Sequence, residues 1–381
     1  MTFRNLKSIN FVVRSVFSQK YNWLFSGLIW LLIVFPAQAI ELKVAIEKDV
    51  PKLKVGSSTE AIVRDDSGQQ IGQLSPRSSL VAKAQKNTIS IANLAGSTEL
   101  IIEPQNGGYV WIGDRWYRGK TRLIRENNTI TAINHVDLEE YLYSVVGAEA
   151  VSSWPIEALK AQAVAARSYA LYKRNSEAND IYDVDTTVGT QVYKGLDTEY
   201  TTTHEAVNST LGQIMTYNNE VILAAFHSSS GGHTENVEDV WTSPLPYLRA
   251  VVDYDHQAPV FEWQQVFPVS KIKTLVAGIG NIKGLQPIKV TPRGRVVEMK
   301  VTGDRGTANL SGKDIRKALK LRSTLFRMST DGKNLNVKGR GFGHGLGLSQ
   351  WGAYYLAQQG VDYNRILAHY YQNANLSKLE Q

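Results

Sequence analysis

Hydrophobic positions in residues 40 to about 135 come in short alternating runs. Residues 42–46, 61–63, 89–91, 100–102, 109–112, 121–124 and 129–133 are such runs, set apart by turn residues such as Asp66-Ser67-Gly68 and Glu126-Asn127-Asn128. Period-two runs between turns predict strands of a twisted antiparallel platform. The period then changes. Asp137-Leu138-Glu139-Glu140 has capping-box form, and Leu138, Leu142, Val145 and Val146 share one helical face until Gly147, where the pattern stops. A second helix starts at Pro155, whose fixed φ suits a first turn, and runs through IEALKAQAVAARSYALYKR to about Arg174. Its small residues let another backbone come close.

Further on, a strand is predicted around residues 221–226, followed by a Gly/Ser/His-rich segment from Phe226 to Trp241. Residues 260–340 read as an inserted α+β portion, with a helix near 270–277, paired strands near 288–301 and a helix near 312–319. The chain closes with GRGFGHGLGLSQ and two helices, for which Ser349 and Asp362 are the N-cap candidates and Gly360 the break. The fold class that follows is α+β: an antiparallel β platform, a helical region, an inserted α+β portion and a C-terminal helix pair.

The first 39 residues change the setting. Trp23 to Phe35 carry no charge, with Arg4, Lys7, Arg14 and Lys20 before them and Ala37-Gln38-Ala39 after, a signal-peptide layout. The apolar run is shorter than the roughly 20 residues of a spanning helix, so cleavage after Ala39 is the first expectation and an uncleaved membrane anchor through residues 21–39 the second. The organisation read from the sequence is thus 1–39 signal, 40–110 N-terminal β-rich region and 111–376 main domain, including the insert. An exported chain without a single Cys has no disulfide, thiolate nucleophile, lipobox or Cys-bound zinc. Its chemistry must come from carboxylates, imidazoles or hydroxyls.

Charge adds a bias toward anionic partners. The chain carries 42 Lys+Arg against 35 Asp+Glu, a net +7; without the four leader cations this falls to 38 minus 35, or +3. Residues 270–340 alone hold 17 Lys+Arg and 4 Asp+Glu, a local +13. Such a stretch faces an anionic polymer or a membrane, or is an ordinary solvated surface whose charges point several ways. With no nucleic-acid-binding signature and an export signal, nucleic acid is not an expected partner.

Several residue groups carry candidate chemistry. Glu149 falls just past the end predicted for the first helix, in the connection to the second. The negative end of a helix dipole and apolar neighbours such as Val151 and Trp154 both disfavour its ionised form. A raised pKa is what a general acid near neutral pH needs. On the next helix Lys160 and Arg167 are seven apart and share a face, while Gln162 and Tyr169 are packing or binding candidates. In His227-Ser-Ser-Ser-Gly-Gly-His233-Thr-Glu235, two imidazoles and a carboxylate raise the question of a metal triad, but the spacing is not a helical H-E-x-x-H. Ser230, His233 and Glu235 are read instead as polar groove lining, with no metal and no other cofactor expected. Alternating glycines around His344 suggest close backbone approach at a site floor, where His344 and Gln350 either touch substrate or buttress the Glu149 connection. Tyr354, Tyr355, Tyr370 and Tyr371 read as packing rather than sugar stacking.

Three segments in order, HVDLEEYLYSVVGAEA, SWPIEALKAQAVAARSYAL and GRGFGHGLGLSQWGAYYLAQQGVDYNRILAHYYQNANL, resemble the stage II sporulation protein D and amidase enhancer family. The resemblance runs from about Trp116 to Leu376. It implies an exported peptidoglycan-remodelling protein whose helical region is catalytic: a lytic transglycosylase that cuts glycan strands stripped of stem peptides. The family's essential Glu lies in a (P/G)-A-E-M-P region matched by Gly147-Ala148-Glu149-Ala150-Val151, with Ala and Val replacing Met and Pro. Zinc-binding members use Cys near the region aligned with residues 181–192, where this chain has Val184 and Thr190. Ordinary glycosidases need two carboxylates. A lytic transglycosylase needs one, because the substrate's N-acetyl group supports the oxocarbenium and its own 6-hydroxyl replaces water. The same resemblance implies an alternative, a non-catalytic wall-binding partner that enhances a cell-wall amidase.

Overall fold

The computed structural model describes residues 40–94, 96–186, 190–241 and 243–379. The predicted signal or anchor, residues 1–39, lies outside them. No helix among the described residues is long and apolar enough to cross a membrane.

The alternating runs form two sheets. A seven-stranded sheet has the order Val184–Asp185, Glu41–Val50, Thr129–Asp137, Lys120–Glu126, Glu99–Pro104, Ala61–Arg64, Gln70–Leu74. A five-stranded sheet has the order Ile89–Ile91, Ser78–Ala84, Lys52–Ser57, Val110–Ile112, Arg115–Tyr117. Every second residue points inward, so Leu42, Val44, Val63, Leu100, Ile102, Leu123 and Ile133 are fully buried. Strands before and after residue 110 interleave. Glu41–Val50 pairs antiparallel with Thr129–Asp137, and Lys52–Ser57 pairs with Val110–Ile112. The N-terminal strands therefore complete the sheet from which the helices spring.

Helix α1, Leu138–Glu149, leaves directly from that sheet. The Asp137 carboxylate caps it by accepting from the backbone N–H groups of Glu139 and Glu140. Gly147 does not end the helix as its position in the pattern suggested. It lies inside the last turn, where an added Cβ would come within 2.0 Å of the Thr198 carbonyl oxygen, so glycine serves close approach here rather than termination. The helix thereby continues to Glu149 itself.

Helix α2, Ile156–Ser176, follows Pro155 and buries an almost continuous run from Leu159 to Ser168. Its alanines pack against α3, Thr201–Ser209, and against the C-terminal helices. The strand predicted at 221–226 is broken. Glu220–Val221 pairs with Gln213–Tyr217, Phe226–His227 pairs in parallel with Leu348–Ser349, and the residues between belong to neither ladder. That crossing brings His227 beside the glycine-rich tail.

The insert has its own core of Trp263, Ile272, Val276, Val301, Leu335 and Val337 among others. It is built from two three-stranded sheets and α4, Gly312–Leu319, capped by Ser311. The helix predicted near 270–277 is only a turn, Ser270–Lys273. The tail forms α5, Gln350–Gln358, and α6, Tyr363–Tyr370, with Ser349 and Asp362 as N-caps that accept from Gly352 and Arg365 N–H. Tyr370 and Tyr371 are fully buried, consistent with packing, whereas Tyr354 and Tyr355 are half-buried.

Candidate active site

Glu149, at the C-terminal end of α1, faces a cavity of about 470 Å³ whose walls include Tyr169, His227, Trp241, Arg316, His344 and Gln350. Its Oε1 accepts one hydrogen bond, from the backbone N–H of Val192 at 2.7 Å. Burial pushes the carboxyl above the usual carboxylate range, and the Val192 bond and the charge of Lys194 only partly oppose this. No other Asp or Glu is among the described residues that line this cavity. A larger cavity of about 680 Å³ lies in the insert around Trp263, Arg293 and Arg340. Its carboxylate, Glu262, is exposed. The smaller cavity is the better candidate because it holds a desolvated acid.

Behind Glu149 stands a pair of amides. Gln350 Nε2 donates to the Glu149 backbone oxygen at 3.0 Å and to Gln162 Oε1 at 3.3 Å, and both glutamines are buried. The first bond satisfies a carbonyl of the helix end that has no partner within the helix, fixing the Glu149 backbone against α2 and α5. Gln162 thus buttresses the site without lining it, and Gln350 does both.

The imidazoles of His227 and His344 lie 5.2 Å apart, centre to centre. His344 Nδ1 accepts from the Leu346 N–H at 3.0 Å while Nε2 donates to the Phe226 carbonyl at 2.9 Å, which defines a neutral ring. His227 Nδ1 donates to the Leu346 carbonyl at 3.0 Å. Burial depresses both rings, helped at His227 by His344 and Arg295 and at His344 by Arg295 and Arg316; His344 is pushed down to about 4. Tyr169 packs edge-on to Phe226, 6.1 Å between ring centres, and burial raises its phenol.

The remaining candidates lie elsewhere. Arg167 is fully buried, and its guanidinium is spent on both Glu139 oxygens and on the Gln213 carbonyl. Lys160 pairs with Glu157 at 2.8 Å and lies over the Tyr363 ring. Sharing a face with Arg167 therefore does not bring it to the cavity. Ser230 donates to Asp253, Ser229 donates to Asp255, and Gly231 and Gly232 N–H groups also bond Asp255, so buried aspartates tie the Ser/Gly loop down. Glu235 accepts from Thr291 Oγ1 at 2.7 Å and lies 3.5 Å from the Arg295 guanidinium. His233 is exposed and faces a separate cavity with Arg293 and Arg340. The His227, His233 and Glu235 side chains thus point to different surroundings. Among the described residues no three His, Asp or Glu side chains cluster as metal ligands.

Arg316, His227 and Trp241 line the cavity without having been candidates for it in sequence. Arg316 belongs to the basic stretch, where nothing marks it among 17 cations. His227 was visible only as one corner of the metal triad. Within the glycine run, Gly343 lines the cavity: an added Cβ there would come 2.6 Å from the His227 Cβ, and its φ is +119°.

Comparison with known proteins matches residues 126–217 to a family described as Stage II sporulation protein and residues 247–347 to a domain of unknown function, DUF8618. Stage II sporulation protein D of Bacillus subtilis is 36% identical over 272 residues, covering 65% of this chain and 77% of the relative. An uncharacterized protein of Brachyspira hyodysenteriae is 32% identical over 285 residues, covering 73% and 76%. A Bacillus subtilis protein named amidase enhancer is 29% identical over 291 residues, covering 62% of this chain and 40% of that relative.

Proposed function

This chain belongs to the stage II sporulation protein D and amidase enhancer family, and on that premise we propose that it is an exported cell-wall enzyme that cuts peptidoglycan glycan strands as a lytic transglycosylase. The observation that carries this reading is the lone acid: Glu149 is desolvated, opens on the cavity and has no second carboxylate among the described residues lining it. A two-carboxylate glycosidase needs a second acid facing the substrate, whereas the neighbouring Asp185 is not on the described cavity wall and accepts from Thr190 Oγ1 at 2.8 Å.

In the proposed reaction, protonated Glu149 gives its proton to the oxygen that links muramic acid C1 to the next sugar. The C1–O bond breaks, the leaving sugar departs as an alcohol, and the substrate's N-acetyl group supports the oxocarbenium. The Glu149 carboxylate then takes the proton of the muramic acid 6-hydroxyl as its oxygen bonds to C1. The products are a 1,6-anhydro ring and a restored acid, with no water consumed. Tyr169 and His344 line the glycan's path, and the Gln350–Gln162 pair holds the Glu149 backbone in place. Peptide-free strands are the proposed substrate, in the periplasm or cell wall, with the leader as signal or anchor.

The relative named amidase enhancer favours a second reading, in which the chain presents wall polymer to a cell-wall amidase without cutting it. Product analysis separates the two. Mass spectrometry of soluble sugars from peptide-free strands should show ends one water lighter than reducing sugars with the wild type and none with Glu149→Gln. Strands bound but uncut by both proteins, with amidase stimulation unchanged by Glu149→Gln, would transfer the assignment to the enhancer.

A further inference from the structure

Arg316 is the cation that the site leaves uncompensated. It projects from α4 of the insert and lines the Glu149 cavity and an adjoining cavity of about 520 Å³, with Trp241 and His344 common to both. Its Nε donates to the Leu321 carbonyl at 3.3 Å. No carboxylate among the described residues lies within salt-bridge distance of it, in contrast to Arg167 on Glu139 and Arg295 beside Glu235.

One carboxylate, Asp239, lines the adjoining cavity, but it accepts from the Asn236 amide at 3.2 Å and makes no ion pair with Arg316, and the Glu149 cavity itself holds no settled negative charge. His227 and His344 are neutral rings, and Glu149 is displaced toward its neutral form by burial. Desolvation alone acts on the Arg316 guanidinium, in the direction of weaker protonation. A half-buried, unpaired guanidinium is costly unless an anion arrives to meet it. It also disfavours positive charge, so beside an oxocarbenium-forming centre it is useful only where an anionic substituent of the substrate neutralises it.

We infer that Arg316 forms a carboxylate-binding subsite next to Glu149, and that it takes the free lactyl carboxylate of a muramic acid residue. The inference rests on the glycan reading above and deepens it into a rule of selection. When a stem peptide is attached, that carboxyl is an amide and offers no charge to the guanidinium. When the peptide is gone, a planar carboxylate fits the fork of the guanidinium. Preference for peptide-free strands then has a physical cause within the insert.

The test reads binding rather than cleavage, so it does not depend on the transglycosylase assignment. The Glu149→Gln protein is titrated with peptide-free strands carrying free lactyl carboxylates, and with the same strands after conversion of those carboxylates to neutral methylamides. Binding of the acid form should be about ten- to a hundredfold tighter than the amide form, the range of one charge-assisted hydrogen-bond pair. Adding Arg316→Met should bring both affinities down to that of the amide. An unchanged ratio in the double variant, or no preference in the parent, overturns the inference. Should Arg316→Met fail to give a cooperative melt, Arg316→Lys keeps the charge but loses the fork; a preference reduced yet present supports the subsite, and one equal to the parent's contradicts it. Absence of anhydro products from the wild type would sink the catalytic reading alone.

Discussion

Two regions of this molecule bring together a carboxylate and a guanidinium, one as a bonded pair and the other as separate groups on the wall of one cavity, and they use them in opposite ways. Between α1 and α2, Glu139 and Arg167 face each other through two hydrogen bonds, with Arg167 fully buried and Glu139 half-buried. Around the cavity, Glu149 and Arg316 both line open space, and neither has an oppositely charged side chain within salt-bridge distance among the described residues. The first pair is a structural clamp. The second is a set of groups left unspent, which is the condition for acting on something that arrives from outside. Burial alone does not mark function: Glu235 is also desolvated and raised, but Thr291 and Arg295 occupy it.

The contrast can be broken most forcefully at the clamp. Arg167→Met should cost about 3–5 kcal/mol, because the Glu139 carboxylate is left without its partner. Arg316→Met, which severs one long bond to a carbonyl, should cost under about 1 kcal/mol. Urea denaturation of the two variants measures this difference directly, and similar losses would erase the distinction between spent and unspent groups.

Acid should weaken the cavity next. A ring held neutral, with its folded pKa depressed to about 4, contributes stability that is present above its ordinary pKa of 6.5 and is lost as pH falls toward 4. For His344 that contribution amounts to about 2–3 kcal/mol, and His227 shifts in the same direction. Denaturation midpoints compared at pH 7 and pH 4 should show it, and His344→Gln should flatten the dependence. Glu149 runs the other way. Its raised pKa keeps it protonated to higher pH, so strand cutting should decline as pH climbs through that value, which a pH–rate profile would locate.

Smaller effects sharpen the picture of how Glu149 is held. Gly147→Ala forces a methyl against the Thr198 carbonyl and should destabilise by about 1–3 kcal/mol. Gln350→Ala removes the donor to the Glu149 carbonyl, worth about 1 kcal/mol. That should appear as a roughly fivefold to tenfold lower kcat with little change in KM. A raised KM with kcat unchanged would mean that Gln350 binds substrate instead of positioning the acid.

Local periodicity made most of the fold legible. The strands of the platform, the cap at Asp137, the long Ala-rich helix, α4 and the two capped C-terminal helices all follow from alternation and capping residues. What depended on contacts far along the chain was not legible. Gly147 looks like a stop because a helix pattern cannot show Thr198 pressing on it from 51 residues away. Residues 221–226 look like one strand because their ladder partners, one near residue 215 and the other near 348, are invisible in sequence. In the site, Glu149, Tyr169, His344 and Gln350 came together as candidates and meet at one cavity. Arg167, Ser230 and Glu235 are polar residues in the right neighbourhood whose partners, Glu139, Asp253 and Thr291 with Arg295, had no signal. Arg316 had the reverse problem: one cation in a basic stretch becomes informative only once the structure leaves it unpaired.

The central claim is that one carboxylate performs both proton transfers and water takes no part. The most direct measurement is to run the reaction on peptide-free strands in water labelled with heavy oxygen and weigh the new muramic acid ends. The account predicts unlabelled anhydro ends with the wild type, reduced about a hundredfold or more by Glu149→Gln. Reducing ends that carry the label would mean that water is the nucleophile, and the single-acid mechanism would be wrong.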